Sequence, residues 1–307
     1  MASRPAGIIP VPLSLVEDWP EEAARRLGAS FQRTGFAVVT GHGIPDEAVA
    51  RMRAAMRDVF ALPEAEKLRW HLPGGAGQRG YTPFGRETAK GAAAPDLKEF
   101  WHVGRELPAG HPALADMAPN VWPETVPDFR PAALALYAAL ESVGQRVLSA
   151  IARHLGLPPD FFREPTREGD SILRLLHYPP VPPGAAGLRA EAHEDIDVVT
   201  LLLGAEKAGL ELVLPDGSWR AVGAPPGGLI VNVGDMLARL SGGVLPSTTH
   251  RVVNPPPARA RLPRFSMPFF LHFRPDYRIV PQAGDRSLPP VTAREFLAER
   301  LREIGLL

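Results

Sequence analysis

The stretch AEAHEDIDVVTLLLG, Ala190 to Gly204, sets His193, Glu194, Asp195 and Asp197 immediately before an unbroken run of Val, Thr and Leu. The run has the length and β-branched character of a buried strand, and the acids sit at its mouth, where turn residues are usual. Alternate residues of a strand project from the same face, so His193 and Asp195 point the same way. An exposed acidic turn would explain the acids alone. A metal site would explain the histidine with them, and it requires a third ligand from elsewhere in the chain.

The rest of the C-terminal half shares this texture. After Asp170 the chain breaks into SILRLLHYP, VVTLLLG, LELVLPDGSWRAV, GLIVNVGD, TTHRVVNPP and RFSMPFFLHF, each of strand length and punctuated by Gly and Pro. Breakers so closely spaced leave no room for helices and predict an antiparallel barrel or jelly roll, with Asp216 and Gly217 as a hairpin turn. In WPEEAARRLGASFQRTG, Ala23, Leu27 and Phe31 recur at helical spacing between Pro20 and Gly35. FAVVTGHGIP reads as a buried strand, and DEAVARMRAAMRDVFAL as a second helix with Asp46 as its cap. Trp70 to Pro95 is a long Gly- and Pro-rich loop, a kind of segment often given over to function. Leu136, Leu140, Val143, Val147, Ile151 and Leu155 form the apolar stripe of the longest helix, which is expected to lie across a sheet. TAREFLAERLREIGLL predicts a C-terminal helix, with Thr292 and Glu295 as a capping box. With no repeat and no linker, the expectation is one domain over 1–307: a helical region with some strands over 1–165, a jelly-roll core over 166–280 and a C-terminal helix over 281–307.

Composition narrows the chemistry. Lys plus Arg and Asp plus Glu balance at 34 each, so no long-range field draws the chain to nucleic acid or to an anionic membrane. A small-molecule partner is expected. There is no cysteine, which excludes disulfides, thiolate metal sites and a cysteine nucleophile and fits a reducing compartment. No stretch approaches the roughly 18 apolar residues of a membrane span, so the expected location is the cytoplasm. Nothing in the sequence bears on oligomeric state.

Of the nine histidines, His250 in STTHRVV is the best third ligand, because it too stands at a polar-to-apolar strand entry. Two imidazoles and one carboxylate make the facial triad of non-haem Fe(II) oxygenases, which leaves adjacent coordination positions open. Beyond His250, Arg264 and Ser266 alternate onto one face and offer a guanidinium fork and a hydroxyl to a carboxylate deep in the barrel. A structural ion pair is the competing account of that arginine. Asp197 reads as a loop-orienting acid, Glu194 as facing away from His193, and His42, His177 and His272 as packed or supporting histidines.

In order and spacing, His193-x-Asp195, His250 and Arg264-x-Ser266 resemble the pattern of the isopenicillin N synthase-like 2-oxoglutarate and Fe(II)-dependent dioxygenases. GFAVVTGHGIP is similar to the N-terminal signature of that family. GYTPFG with DLKEFWHVGRE is similar to a segment of its bacterial members. The resemblance covers most of the chain and implies an α+β fold: a double-stranded β-helix (jelly roll) core with N-terminal helices, a long supporting helix and a C-terminal helix. It implies Fe(II) on His193, Asp195 and His250, with Arg264, Ser266 and Tyr178 on the distal carboxylate of 2-oxoglutarate. It also implies O2 as oxidant, with succinate and CO2 formed as a small organic substrate is oxidised. One departure is Leu176, where many plant members carry Asn near the metal. Arg79, Tyr81, Phe84, Phe100 and His102, from the long loop and the segment after it, are the candidate substrate contacts. An oxidase without 2-oxoglutarate, a ligand-binding jelly roll without turnover and a zinc hydrolase share the triad, and oxygen-dependent succinate release separates them.

Overall fold

The computed structural model describes residues 6–74, 77–88, 94–115, 117–181, 184–203 and 209–303. Gly204 and the last four residues of the expected C-terminal helix lie outside them. Strands β1 (Val11–Pro12), β2 (Phe36–Thr40), β3 (Gly80–Thr82) and β4 (Glu99–Gly104) alternate with helices α1 (Leu15–Asp18), α2 (Pro20–Thr34), α3 (Asp46–Ala61) and α4 (Glu64–Lys67). Helices α5 (Phe129–His154) and α6 (Arg163–Thr166) lead into β5 (Ile172–Tyr178), β6 (Ala190–His193), β7 (Val199–Leu203), β8 (Leu210–Val213), β9 (Trp219–Ala221) and β10 (Leu229–Val233). Helix α7 (Asp235–Leu240), strands β11 (His250–Val252), β12 (Arg264–Ser266) and β13 (Pro268–Leu271), and helix α8 (Ala293–Glu303) complete the core.

The strands form a large sheet in the order β1-β2-β10-β7-β13-β5-β4-β3, with β12 also on β5, and a smaller sheet β6-β11-β8-β9. Phe36, Val38, Leu202, Ile230, Leu212 and Val252 pack between the two sheets, giving the jelly-roll interior. The outer face of the large sheet buries Leu173, Leu175, Leu201, Phe269 and Leu271 with Leu136, Leu140, Val143 and Val147 of α5. At Gly144 a Cβ would come within 2.5 Å of Leu271 Cδ1, so the missing side chain is what lets α5 approach the sheet.

Chain punctuation follows the sequence closely. Pro20 opens α2 and Gly35, at φ 66°, closes it. Glu295 accepts hydrogen bonds from the Thr292 amide and hydroxyl while Thr292 Oγ1 accepts from the Glu295 amide, completing the capping box. Asp46 is corrected from cap to first helical residue: Pro45 occupies the cap position and no side chain caps this end. The N-terminal half does not stand apart from the barrel. Strand β2 hydrogen-bonds β10, and β4 hydrogen-bonds β5 along six residue pairs, so both halves build one sheet.

Candidate functional site

His193 ends β6 and His250 begins β11, and the two are direct partners across this antiparallel pair. Asp195 follows in the turn into β7, where its carbonyl accepts the Asp235 amide at the start of α7. His193 Nε2 lies 3.8 Å from Asp195 Oδ1 and His250 Nε2 3.7 Å from Asp195 Oδ2, and one donor atom from each residue falls within 4.8 Å of the others. Each imidazole is turned by its own backbone: Nδ1 of His193 donates to the Glu191 carbonyl and Nδ1 of His250 to the Thr248 carbonyl. A carbonyl can only accept, so both protons sit on Nδ1 and both Nε2 lone pairs face the carboxylate. Burial, with the adjacent His250, pushes His193 down to about 4, which keeps it neutral near pH 7.

Thr200 and Asn232 both donate to Asp195 Oδ2, at 2.6 and 2.8 Å. Burial opposes the charge on Asp195, but the flanking imidazoles and these two donors hold it below the usual carboxylate value. Two imidazoles presenting Nε2 to an ionised, oriented carboxylate fit a divalent iron ion, and the hydrogen-bonded outer ring matches what such sites require. Asp197 stays outside the cluster. Burial and the charge of Asp195 push it well above its ordinary range, and its carbonyl accepts from the Met236 amide, which ties the turn to α7. Glu194 is exposed and accepts from Thr249.

The carboxylate-binding candidates gather on neighbouring strands. Arg264 pairs with Tyr178 and Ser266 with Leu176 across β12 and β5, so all four side chains share the inner face. Arg264 is 1% exposed, its Nε and Nη1 have no hydrogen-bond partner among the described residues, and its guanidinium carbon lies 4.9 Å from the Tyr178 ring centroid. A buried guanidinium with unused donors fits the distal carboxylate of a dicarboxylic co-substrate. Leu176, at the position of the plant asparagine, packs with Phe100 and Tyr178 as an apolar patch.

A cavity of about 750 Å³ opens beside the cluster, with His193 and Asp195 in its wall. Phe100 and His102 line it; Arg79, Tyr81 and Phe84 do not. Tyr81 pairs with Trp101 and so takes the opposite face of the sheet, where its hydroxyl donates to Glu99. Arg79 is committed to Asp170 at 2.6 Å and to the Ala118 carbonyl. Phe84 stands in solvent. The sequence reading passed over Arg174, which projects into the cavity with its guanidinium carbon 4.5 Å from the Phe100 ring and 5.2 Å from Phe270. Arg174 Nε donates to His102 Nε2, and burial reinforced by the Arg174 charge holds this histidine well below its ordinary value. Glu87 bridges Arg174 at 3.3 Å and Lys98 at 2.7 Å. Leu297, Arg300 and Leu301 of α8 close another wall. The signal for Arg174 was present: it shares the parity of Leu176 and Tyr178 on one strand.

Comparison with known proteins agrees with this geometry. Residues 10–125 match the non-haem dioxygenase N-terminal region, described as that of morphine synthesis, and residues 169–273 match the 2OG-Fe(II) oxygenase superfamily. A 2-oxoglutarate-Fe(II) type oxidoreductase, hxnY of Emericella nidulans, is 33% identical over 87% of this chain and 80% of its own. A crystal structure of a 2OG-Fe(II) oxygenase family protein from Caulobacter crescentus is 49% identical, with a TM-score of 0.90 over 97% of this chain and 99% of that one. A full-length Neurospora crassa protein, solved with α-ketoglutarate and thymine, is 28% identical with a TM-score of 0.84 over 97% of both chains. The chain belongs to the 2OG-Fe(II) oxygenase superfamily. It is a 2-oxoglutarate- and Fe(II)-dependent dioxygenase with a jelly-roll core, using Fe(II), 2-oxoglutarate and O2. When bound, the iron supplies oxidative decarboxylation of 2-oxoglutarate to succinate and CO2, coupled to oxidation of a substrate. Solved relatives hold small molecules, thymine and 5-formyluracil among them. Among the described residues, no helix is long and apolar enough to cross a membrane.

Proposed function

We propose that His193, Asp195 and His250 hold the iron, that Arg264, Ser266 and Tyr178 hold the distal carboxylate of 2-oxoglutarate, and that the cavity takes a small organic molecule for hydroxylation. The observation that carries this reading is the convergence of two Nε2 atoms and a carboxylate, of which His193 and Asp195 line a cavity that Arg174, Phe100, Phe270 and His102 also line. Arg174 is the recognition handle for a carboxylate or carbonyl of the substrate. Its contacts to Glu87, 3.3 and 3.4 Å, are long for charged partners and leave its donors able to be shared. Phe270, Ile172 and Leu297 supply apolar wall and exclude water. Balanced charge supports a free small molecule over nucleic acid or a membrane surface, and a cysteine-free chain supports the cytoplasm as its compartment.

The test is a screen of small carboxylates and carbonyl heterocycles for stimulated succinate release, followed by Arg174→Gln. That variant should raise KM for the active compound about tenfold or more, as expected for losing a charge-assisted contact, while 2-oxoglutarate affinity holds. An unchanged KM would move the substrate to another wall of the cavity.

A further inference from the structure

Among the described residues, five Lys or Arg side chains are buried: Lys67, Arg79, Lys98, Arg189 and Arg264. Three have acids. Lys67 pairs with Glu99, Arg79 with Asp170, and Lys98 with Glu87 and Asp96. The two without an acid are neighbours. The guanidinium carbon of Arg189 lies 5.8 Å from the Tyr178 ring centroid, the same ring that Arg264 approaches at 4.9 Å. Arg189 is 1% exposed, and its Nη2 donates to the Leu262 carbonyl at 3.1 Å. Among the described residues its Nε has no partner, and neither have Nε and Nη1 of Arg264.

Two like charges at one ring, out of water and without an acid among the described residues, raise the free energy of the protein and are stabilised when an anion reaches both. Burial and the charge of Arg264 depress Arg189 below its ordinary range, the direction expected of an uncompensated pair. Lys98, which reaches the same region, is already neutralised by Glu87 and Asp96 and leaves the demand of the arginines unmet.

We propose that Arg189 is a second cation for the co-substrate, sharing with Arg264 the distal carboxylate of 2-oxoglutarate. This rests on the reading that Arg264, Ser266 and Tyr178 bind that carboxylate. One guanidinium fork can satisfy one carboxylate edge, and a second cation strengthens selection for a dianionic 2-oxoacid over one lacking the distal charge. Arg189 lies four residues before His193, on the segment that leads into β6.

The experiment is calorimetric titration of 2-oxoglutarate into the Fe(II)-loaded full chain under nitrogen, for wild type, Arg189→Met, Arg189→Lys and Arg264→Met, with melting temperatures of the ligand-free proteins. Arg189→Met should weaken 2-oxoglutarate binding about tenfold or more, the loss of one charge-assisted contact. Its iron content should be unchanged and its ligand-free melting temperature equal to or above wild type, because an uncompensated charge has gone. A purely structural tether to Leu262 would do the reverse, lowering the melting temperature and leaving affinity intact, and that result overturns the proposal. If both fall, recovery of affinity in Arg189→Lys supports the charge role and failure to recover overturns it. If Arg264→Met also binds normally, the reading of the carboxylate pocket itself fails. If Arg264→Met alone is weakened, only the role of Arg189 does.

Discussion

At the scale of single residues, the candidate iron site depends on side chains outside the His193, Asp195 and His250 cluster. Asn232 and Thr200 are direct partners across β10 and β7, and from there both reach the same oxygen of Asp195. Removing one donor leaves a buried carboxylate free to turn, and outer-ring losses of this kind cost roughly 10–100-fold in metal affinity. Asn232→Ala is therefore expected to bind Fe(II) in that weakened range with the fold retained, as read by metal competition titration beside circular dichroism. Wild-type affinity would place the orientation of Asp195 in the backbone alone. The three ligand candidates were legible because their signal is local: a period-two His-x-Asp and a second histidine at a strand entry. Asn232 was equally local, the only polar residue in LIVNV, and went unread because its partner lies 37 positions away. Arg174 shared the parity of Leu176 and Tyr178 and was legible to that extent, whereas Arg189, just before β6, stands out only when the acids that could neutralise it are known in space.

At the scale of elements, the hinge of the site is the turn from β6 into β7 and its seat on α7. The Asp235 and Met236 amides bind the Asp195 and Asp197 carbonyls, and Gly234 lies so close that an added Cβ would meet the Asp197 backbone oxygen at 2.2 Å. Backbone cannot swing aside as a side chain can. Gly234→Ala should cost about 1–3 kcal/mol in denaturant unfolding, the range of forced overpacking, and should weaken iron binding as well. Gly144→Ala, whose nearest contact is the movable end of Leu271, serves as the contrast: a loss of stability with iron binding intact. Equal iron affinity in both variants would mean that α7 does not set the position of Asp195. Helices and the Thr292–Glu295 capping box were readable from periodicity and punctuation, whereas the cap of α3 and the facing of β3 were not. Which side Tyr81 takes is decided by its pairing with Trp101, a long-range register that no local pattern encodes. The wall formed by α8 was hidden for the same reason, since an amphipathic stripe shows that a helix packs but not against what.

At the scale of the whole molecule, the jelly roll was legible because short apolar runs between breakers permit little else, and the regions 1–165 and 166–280, expected as parts of one domain, contribute to one sheet. Strands β1 to β4 extend the large sheet, and β4 carries Phe100 and His102 into the cavity beside Arg174 of β5. The N-terminal half is thus both support and wall: the candidate iron and co-substrate residues sit on the C-terminal strands and the turn from β6 into β7, while the substrate-facing surface draws on both halves of the chain. The most direct test of the account is succinate formed from 2-oxoglutarate under O2, measured per protein with and without Fe(II), for wild type and for His250→Ala verified as folded by circular dichroism. Wild type should release succinate only with iron present, and His250→Ala should fall to the protein-free background. Succinate release by His250→Ala at the wild-type rate would contradict the assignment of His193, Asp195 and His250 as the iron site.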